Sequence, residues 1–89
     1  MLYFPAVLHR TDAQGLSGCH VPDFLIVAGG RSDDDALRDA LGIMEELMED
    51  MVRDNEPLPD PTPAEEVDLD GGMLVMLAAV PPPSIPNAA

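Results

Sequence analysis

The segment from Ser32 to Pro57 has the sequence pattern of a long amphipathic helix, and both of its ends are marked. Ser32 stands where an N-cap belongs, and the three aspartates after it favour the positive end of a helix dipole. Asn55 can adopt the left-handed conformation that ends a helix, and Pro57 prevents its continuation. We therefore predict a helix over about residues 33–54. Its apolar stripe consists of Leu37, Ala40, Leu41, Met44, Leu47, Met48, Met51 and Val52.

Three short segments rich in apolar and β-branched residues precede the helix and are separated by turn residues. Residues 2–9, 16–21 and 25–28 predict an antiparallel meander of three strands. Pro5 suggests that the first strand lies at an edge of the sheet, because proline cannot donate to a strand ladder. The two glycines at positions 29 and 30 are expected to end the third strand.

Two segments of different composition follow the helix, the first rich in proline and the second apolar. Prolines at every second position from Pro57 to Pro63 predict an extended spacer that runs back along the helix. Residues 73–80 are continuously apolar, as in a strand covered on one face by the helix and on the other by a further element or chain. The predicted fold is therefore α+β, in the order β-β-β-α-β, over residues 1–80. Residues 81–89 are predicted to form a disordered, proline-rich tail.

The charge balance limits the partners of this chain. There are 17 acidic residues, four arginines and no lysine, for a formal net charge of −13. Nucleic-acid binding needs cations that displace counterions from phosphates, so direct binding to DNA or RNA is not expected. Such a field attracts a basic protein, although an acidic surface can also serve solubility alone. Because Tyr3, Phe4 and Phe24 are the only aromatic residues, the core is small, and we expect a homo-oligomer or a bound partner to bury more apolar surface.

The single cysteine, Cys19, cannot form an intramolecular disulfide and fits a reducing compartment, so we expect a cytoplasmic protein. No apolar run approaches the roughly 20 residues of a membrane-crossing helix, and no membrane association is expected.

Several polar side chains could carry chemistry, but a structural role explains each of them more simply. The three consecutive aspartates from Asp33 could hold a divalent metal, yet neighbours on a helix diverge by about 100°, and N-terminal capping accounts for them. His9, Cys19 and His20 lack the ligand spacing of a zinc site, and adjacent strand residues face opposite sides. A metal-dependent nuclease would need converging carboxylates, for which only Asp23 and the acidic residues of the helix start are available. We therefore expect no enzyme activity, no metal and no cofactor.

Four short motifs follow one another in an order that resembles one known family. They are YFPAVL at 3–8, GCHVPDF at 18–24, GRSDDDAL at 30–37 and NEPLPDP at 55–61. Together, over about residues 3–63, they resemble the N-terminal domain of HicB-type antitoxins. The resemblance implies a partial RNase H-like β-β-β-α-β fold without nuclease chemistry. It also implies a role in neutralising HicA, a small, basic, mRNA-cleaving toxin of prokaryotes.

The chain departs from the HicB-type pattern in two places. The segment after Asp23 is shorter than the common form of the family. The family usually continues into a C-terminal helix-turn-helix or ribbon-helix-helix domain, and we expect this chain to lack one. Repression of its own operon is therefore not assigned.

Two functions are compatible with this interpretation. In the first, the acidic domain docks on a HicA-like toxin and blocks its access to RNA. In the second, the chain is a HicB-like structural or regulatory homo-oligomer that serves no toxin. For the first, carboxylates of the helix and connector would attract the partner, and apolar residues of the last strand would supply contact area. The candidate partner-binding residues are Asp39, Glu45, Glu46, Glu49, Asp50, Met73, Val75 and Leu77.

Overall fold

In a computed structural model, one antiparallel sheet carries a long helix on one of its faces. The structure describes residues 1–11 and 15–80. The elements in this part are β1 (Leu2–Thr11), β2 (Leu16–Val21), β3 (Ile26–Gly30), α1 (Asp33–Arg53) and β4 (Met73–Ala79). Short 3₁₀ turns span Pro22–Phe24 and Ala64–Glu66. The predicted α+β class and the order β-β-β-α-β are confirmed. The tip of the first turn, at 12–14, and the predicted tail, at 81–89, lie outside the described residues.

The strands are arranged in the order β3-β2-β1-β4, and every neighbouring pair is antiparallel. The edge position predicted for the first strand is wrong, because β1 lies between β2 and β4. Pro5 is tolerated in this central strand because of where the pairing between strands begins. Pairing between β1 and β2 begins at Val7, opposite His20, whereas Pro5 faces only Met76 of β4. Pro5 therefore removes no bond from the β1–β2 ladder.

Helix α1 begins and ends where the sequence predicts. The Asp35 N–H donates to the Ser32 side-chain oxygen at 3.1 Å, which is the expected N-cap bond. At the other end Asn55 has a φ of 59°. The N–H of Glu56 donates to the Met51 carbonyl at 2.7 Å, and that of Asn55 donates to the Val52 carbonyl at 3.1 Å. These two bonds form a Schellman motif and account for carbonyls that the helix end would otherwise leave unpaired.

The core lies between α1 and one face of the sheet, called here the core face. Ala36, Ala40, Met44 and Met48 of the helix are fully buried, and the rest of its predicted stripe is half-buried around them. The strands contribute every second residue, and the Phe4 and Phe24 rings meet edge to face with centroids 4.9 Å apart. The sheet residues buried in the core are Phe4, Ala6, Leu8, Cys19, Val21, Ile26, Ala28, Leu77 and Ala79.

Strand β3 includes both glycines and ends at Gly30, two residues beyond the predicted end at Ala28. A Cβ at Gly30 would lie 2.5 Å from the Asp35 Cβ and 2.8 Å from the Ala36 nitrogen. Only glycine therefore lets the strand pass this close to the start of α1.

The connector between α1 and β4 crosses to the opposite face of the sheet, called here the open face. It starts beside the helix, where Leu58 packs against the core. The Thr62 N–H and hydroxyl then bind the two carboxylate oxygens of Asp23, at 3.0 and 2.5 Å. At the end of the connector, a Cβ on Gly72 would lie 2.6 Å from Val7 and 2.8 Å from His9, which are open-face residues. The prediction that the connector follows the helix is therefore wrong for its second half.

Candidate partner-binding surfaces

The outer face of α1 carries the five helix residues predicted to bind a partner, and all five are exposed. Asp50 pairs with Arg53 at 2.5 Å, and Asp39 accepts a long bond of 3.4 Å from the Gly29 N–H. Every large apolar side chain of α1 is buried or half-buried, so this face offers little apolar surface, of which Ile43 beside Asp39 and Glu46 is a part. Because an exposed ion pair contributes only about 0–1 kcal/mol, this face can attract a basic partner more readily than it can hold one.

The three predicted residues of β4 do not share one environment. Leu77 is only 6% exposed and belongs to the core, and Val75 is half-buried against the same core. Met73 is 55% exposed and is accessible to a partner. The exposed side chains on the open face of this strand are Met76 and Ala78, which alternate with the buried ones.

A groove of about 590 Å³ lies between the open face and the connector, and we call it the open-face groove. Its sheet side is formed by His9, His20 and Val27. The register places His20 directly opposite Val27, and the His9 and His20 rings stack with centroids 5.6 Å apart. The connector side is formed by Glu66, Val67, Asp68 and Asp70. Sequence reasoning did not find this groove, because its two sides come from distant segments.

Leu25, at one end of the groove, has an unfavourable backbone and an unpacked side chain. Its φ of 56° lies in the left-handed region, which costs a residue with a Cβ roughly 1–2 kcal/mol. Its N–H closes the 3₁₀ turn by donating to the Pro22 carbonyl at 3.2 Å. The side chain is nevertheless 90% exposed, and the neighbouring Val27 is 82% exposed. Packing within the domain therefore does not offset the free-energy cost of the left-handed backbone at Leu25 or of exposing the two apolar side chains.

The connector side of the groove is negatively charged. Glu66, Asp68 and Asp70 are exposed, and in the described residues no arginine lies within ion-pair distance of them. Asp68 is held in place by the Asp70 N–H, which donates to its carboxylate at 3.1 Å. The groove thus combines exposed apolar residues with a charged rim, which is the composition of many protein interfaces.

Asp33 has a structural role. Its carboxylate accepts hydrogen bonds from the Arg10 guanidinium, with the Nε at 2.8 Å, and from the Ser17 hydroxyl at 2.6 Å. The Arg10 bonds, followed by the Ser17 bond, hold the pKa of Asp33 below its usual value. The carboxylate therefore ties the start of α1 to the β1–β2 pair, and Asp23 is similarly engaged by Thr62. No group of three or more metal-ligating side chains converges anywhere in residues 1–11 and 15–80.

Cys19 and the histidines lie on opposite sides of the sheet, as their positions in a strand predict. Cys19 is 2% exposed, and burial in the core raises the pKa of its thiol. His9 and His20 lie in the open-face groove. The three side chains therefore do not form a site together. Among the described helices, none has both the length and the apolar character that a membrane crossing requires.

The fold is similar to two solved structures from Burkholderia pseudomallei. One is the N-terminal domain of the antitoxin HicB, with a TM-score of 0.78 and 19% identity, over 89% of this chain and 99% of that one. The other is the antitoxin HicB itself, with a TM-score of 0.78 and 20% identity, over 100% of this chain and 75% of that one. Neither a family model nor a curated protein matches the sequence. The likeness shows that this chain has the fold of the HicB N-terminal domain, as the four sequence motifs predict.

Proposed function

We propose that this chain is a HicB-like antitoxin, which binds a small basic HicA-like toxin and neutralises it by occluding the surface that meets mRNA. Its fold is that of an antitoxin domain, and its net charge of −13 is the sign that complements a basic protein. The proposed setting is the cytoplasm of a prokaryote, where the buried Cys19 thiol stays reduced.

The observation that carries this proposal is the presence of exposed carboxylates on two sides of an antitoxin fold. Exposed carboxylates without an ion-pair partner among the described residues include Asp39, Glu45, Glu46 and Glu49 of α1 and Glu66, Asp68 and Asp70 of the connector. Fields of this kind accelerate association with an oppositely charged protein and weaken as salt is added. The proposal assigns binding and no catalysis to the chain, because Asp23 and Asp33 already have structural partners.

Co-expression tests the proposal directly. The chain is produced together with a small basic HicA-like toxin, taken from an adjacent reading frame where one is present, and growth, mRNA integrity and co-purification are measured. We expect growth to recover and a complex to form whose affinity falls as ionic strength rises. The control is the toxin expressed alone. Absence of both a complex and relief of toxicity would contradict the proposal.

The second candidate, a homo-oligomer that serves no toxin, is favoured by the outer edge of β4. No charged residue occurs from Met73 to Val80, and no strand of the described chain pairs with that edge. An uncharged edge strand is a template for pairing with another chain. Sedimentation of the wild type, Met76→Lys and, as a control on the other edge strand, Val27→Lys would test this function. Self-association lost only in Met76→Lys would support it, and a monomeric wild type would exclude it.

A further inference from the structure

The most exposed large apolar side chains of the described residues, Leu25 and Val27, lie together at the open-face groove. Neither is explained by packing within the domain, since Leu25 is 90% and Val27 82% exposed. Leu25 also holds a left-handed backbone conformation that disfavours a side chain. Residues kept in unfavourable conformations cluster where proteins bind ligands. The observation therefore points to contact with something outside the domain.

The connector side of the groove determines which charge a bound molecule must carry. Glu66, Asp68 and Asp70 line it, with no arginine of the described chain near enough to neutralise them. A lysine or arginine side chain has an aliphatic stem and a cationic end, and it matches an apolar floor beside a row of carboxylates. The groove therefore complements a basic segment that also carries apolar residues.

The outer face of α1 lacks the exposed apolar residues that the groove combines with its carboxylates. It has the carboxylates, but no large apolar side chain of the helix is exposed, since all of them are buried or half-buried. Stable interfaces need a desolvated apolar centre inside a polar rim, and exposed charges alone give attraction that salt screens. The two surfaces thus differ in whether they can hold a partner after it arrives.

We propose that the open-face groove is the docking site for a lysine- or arginine-bearing segment of the basic partner, and that the outer face of α1 only attracts that partner. The segment places its apolar side chains on Leu25 and Val27 and its cations against Glu66, Asp68 and Asp70. This inference rests on the proposed function for the existence of a basic partner. It goes beyond that function by naming where the partner binds.

Histidine NMR tests the proposal without knowledge of the natural partner. Both histidines of the chain, His9 and His20, line the groove, so their ring C–H signals report its occupancy. The probe is a synthetic peptide of alternating arginine and leucine, added at an ionic strength of about 0.15 M. We expect the C–H signals of both rings to shift as peptide is added and to reach a plateau once the groove is saturated. Binding of the peptide without a shift at either ring would overturn the proposal.

Matched charge reversals separate the two surfaces. Glu66→Lys with Asp68→Lys changes the groove, and Glu45→Lys with Glu49→Lys makes the same change of net charge on α1. We expect the groove variant to lose about tenfold or more in peptide affinity, and the helix variant to lose about threefold or less. Circular dichroism verifies that both variants fold, and Val27→Ser provides an uncharged change in the groove. Equal losses in the two charge variants would overturn the proposal.

The same variants, tested against the HicA-like toxin, distinguish failure of the inference from failure of the proposed function. If the wild type neutralises the toxin and the groove variant does so equally well, the function stands and the docking site is wrong. If the peptide shifts both histidines and the groove variant abolishes that shift, while no toxin is neutralised, the docking site stands and the antitoxin role fails.

Discussion

The outer face of α1 and the open-face groove carry the same sign of charge but differ in how the domain uses their residues. On α1 the arrangement follows from folding, because the cap, the buried stripe and the Schellman motif account for the inner side, and the polar residues fill the rest. At the groove, Leu25 and Val27 contribute nothing to the core. We infer from the comparison that, in an acidic protein, exposed apolar residues that folding does not explain are a better guide to a contact surface than charge alone.

The largest difference between the two regions should appear in stability. Met44, on the inner side of α1, is fully buried, and Met44→Ala is expected to lower the free energy of unfolding by about 2–5 kcal/mol. Val27→Ala should change it by about 0.5 kcal/mol or less, since Val27 is exposed. Urea unfolding measures both. A cost at Val27 that approached the cost at Met44 would show that the Val27 side chain is packed within the domain.

Gly42 provides a change on the outer face of α1 that should be favourable. It lies inside the helix, and a Cβ there would meet no atom within 4 Å. Gly42→Ala should therefore raise the free energy of unfolding by about 0.5–1 kcal/mol and leave peptide affinity unchanged. Gly30→Ala is the control, and it should destabilise because its Cβ would collide with Asp35. A large loss of peptide affinity in Gly42→Ala would place the contact surface on the helix.

A substitution at Leu25 tests the groove in the same way as Gly42→Ala tests the outer face of α1. Leu25→Gly relieves a left-handed conformation that costs roughly 1–2 kcal/mol, while the added backbone freedom of glycine removes about 0.5–1 kcal/mol. We expect a net gain in stability of about 0.5 kcal/mol together with weaker peptide binding. Thermal unfolding and the histidine titration measure the two effects. Unchanged peptide affinity would mean that the Leu25 side chain is not part of the contact.

The smallest effect concerns pH and the start of α1. The folded-state pKa of Asp33 is lowered by Arg10 and Ser17, so its contribution is fully present above the unfolded value of about 3.9. That contribution is lost as the pH falls through the folded-state pKa. Asp33→Asn should therefore narrow the difference between stabilities measured at neutral and acidic pH, whereas Glu45→Gln should not. Urea unfolding at several pH values tests this, and an identical pH profile for wild type and Asp33→Asn would refute it.

Local signals in the sequence were sufficient for the helix and its ends. Ser32 and Asn55 act through atoms a few residues away, so a capping pattern and a turn-forming residue predict the observed bonds without knowledge of the fold. The order of elements and the α+β class also follow from local patterns. The family resemblance rested on short motifs, and the solved antitoxin structures confirm the fold that it implied.

What the sequence did not predict depends on pairing between distant segments. Pro5 lies in a central strand because β4, far along the chain, adds to the other side of β1. The apolar run at 73–80 has no alternation, so nothing in it distinguishes buried Leu77 from exposed Met76. The groove needs the connector to cross the open face, and the residues that direct this path, Asp23 and Thr62, are 39 positions apart. The left-handed backbone of Leu25 likewise has no composition signal, because leucine is an unusual residue there.

The two hydrogen bonds between Asp23 and Thr62 hold the connector wall of the groove at a fixed separation from the sheet. Thr62 itself lines the groove, but the strands do not depend on these two bonds for pairing. The width of the groove is thus determined by residues that strand pairing does not require. We expect changes at residues 57–63 to alter the width of the groove while the sheet and the helix remain the same.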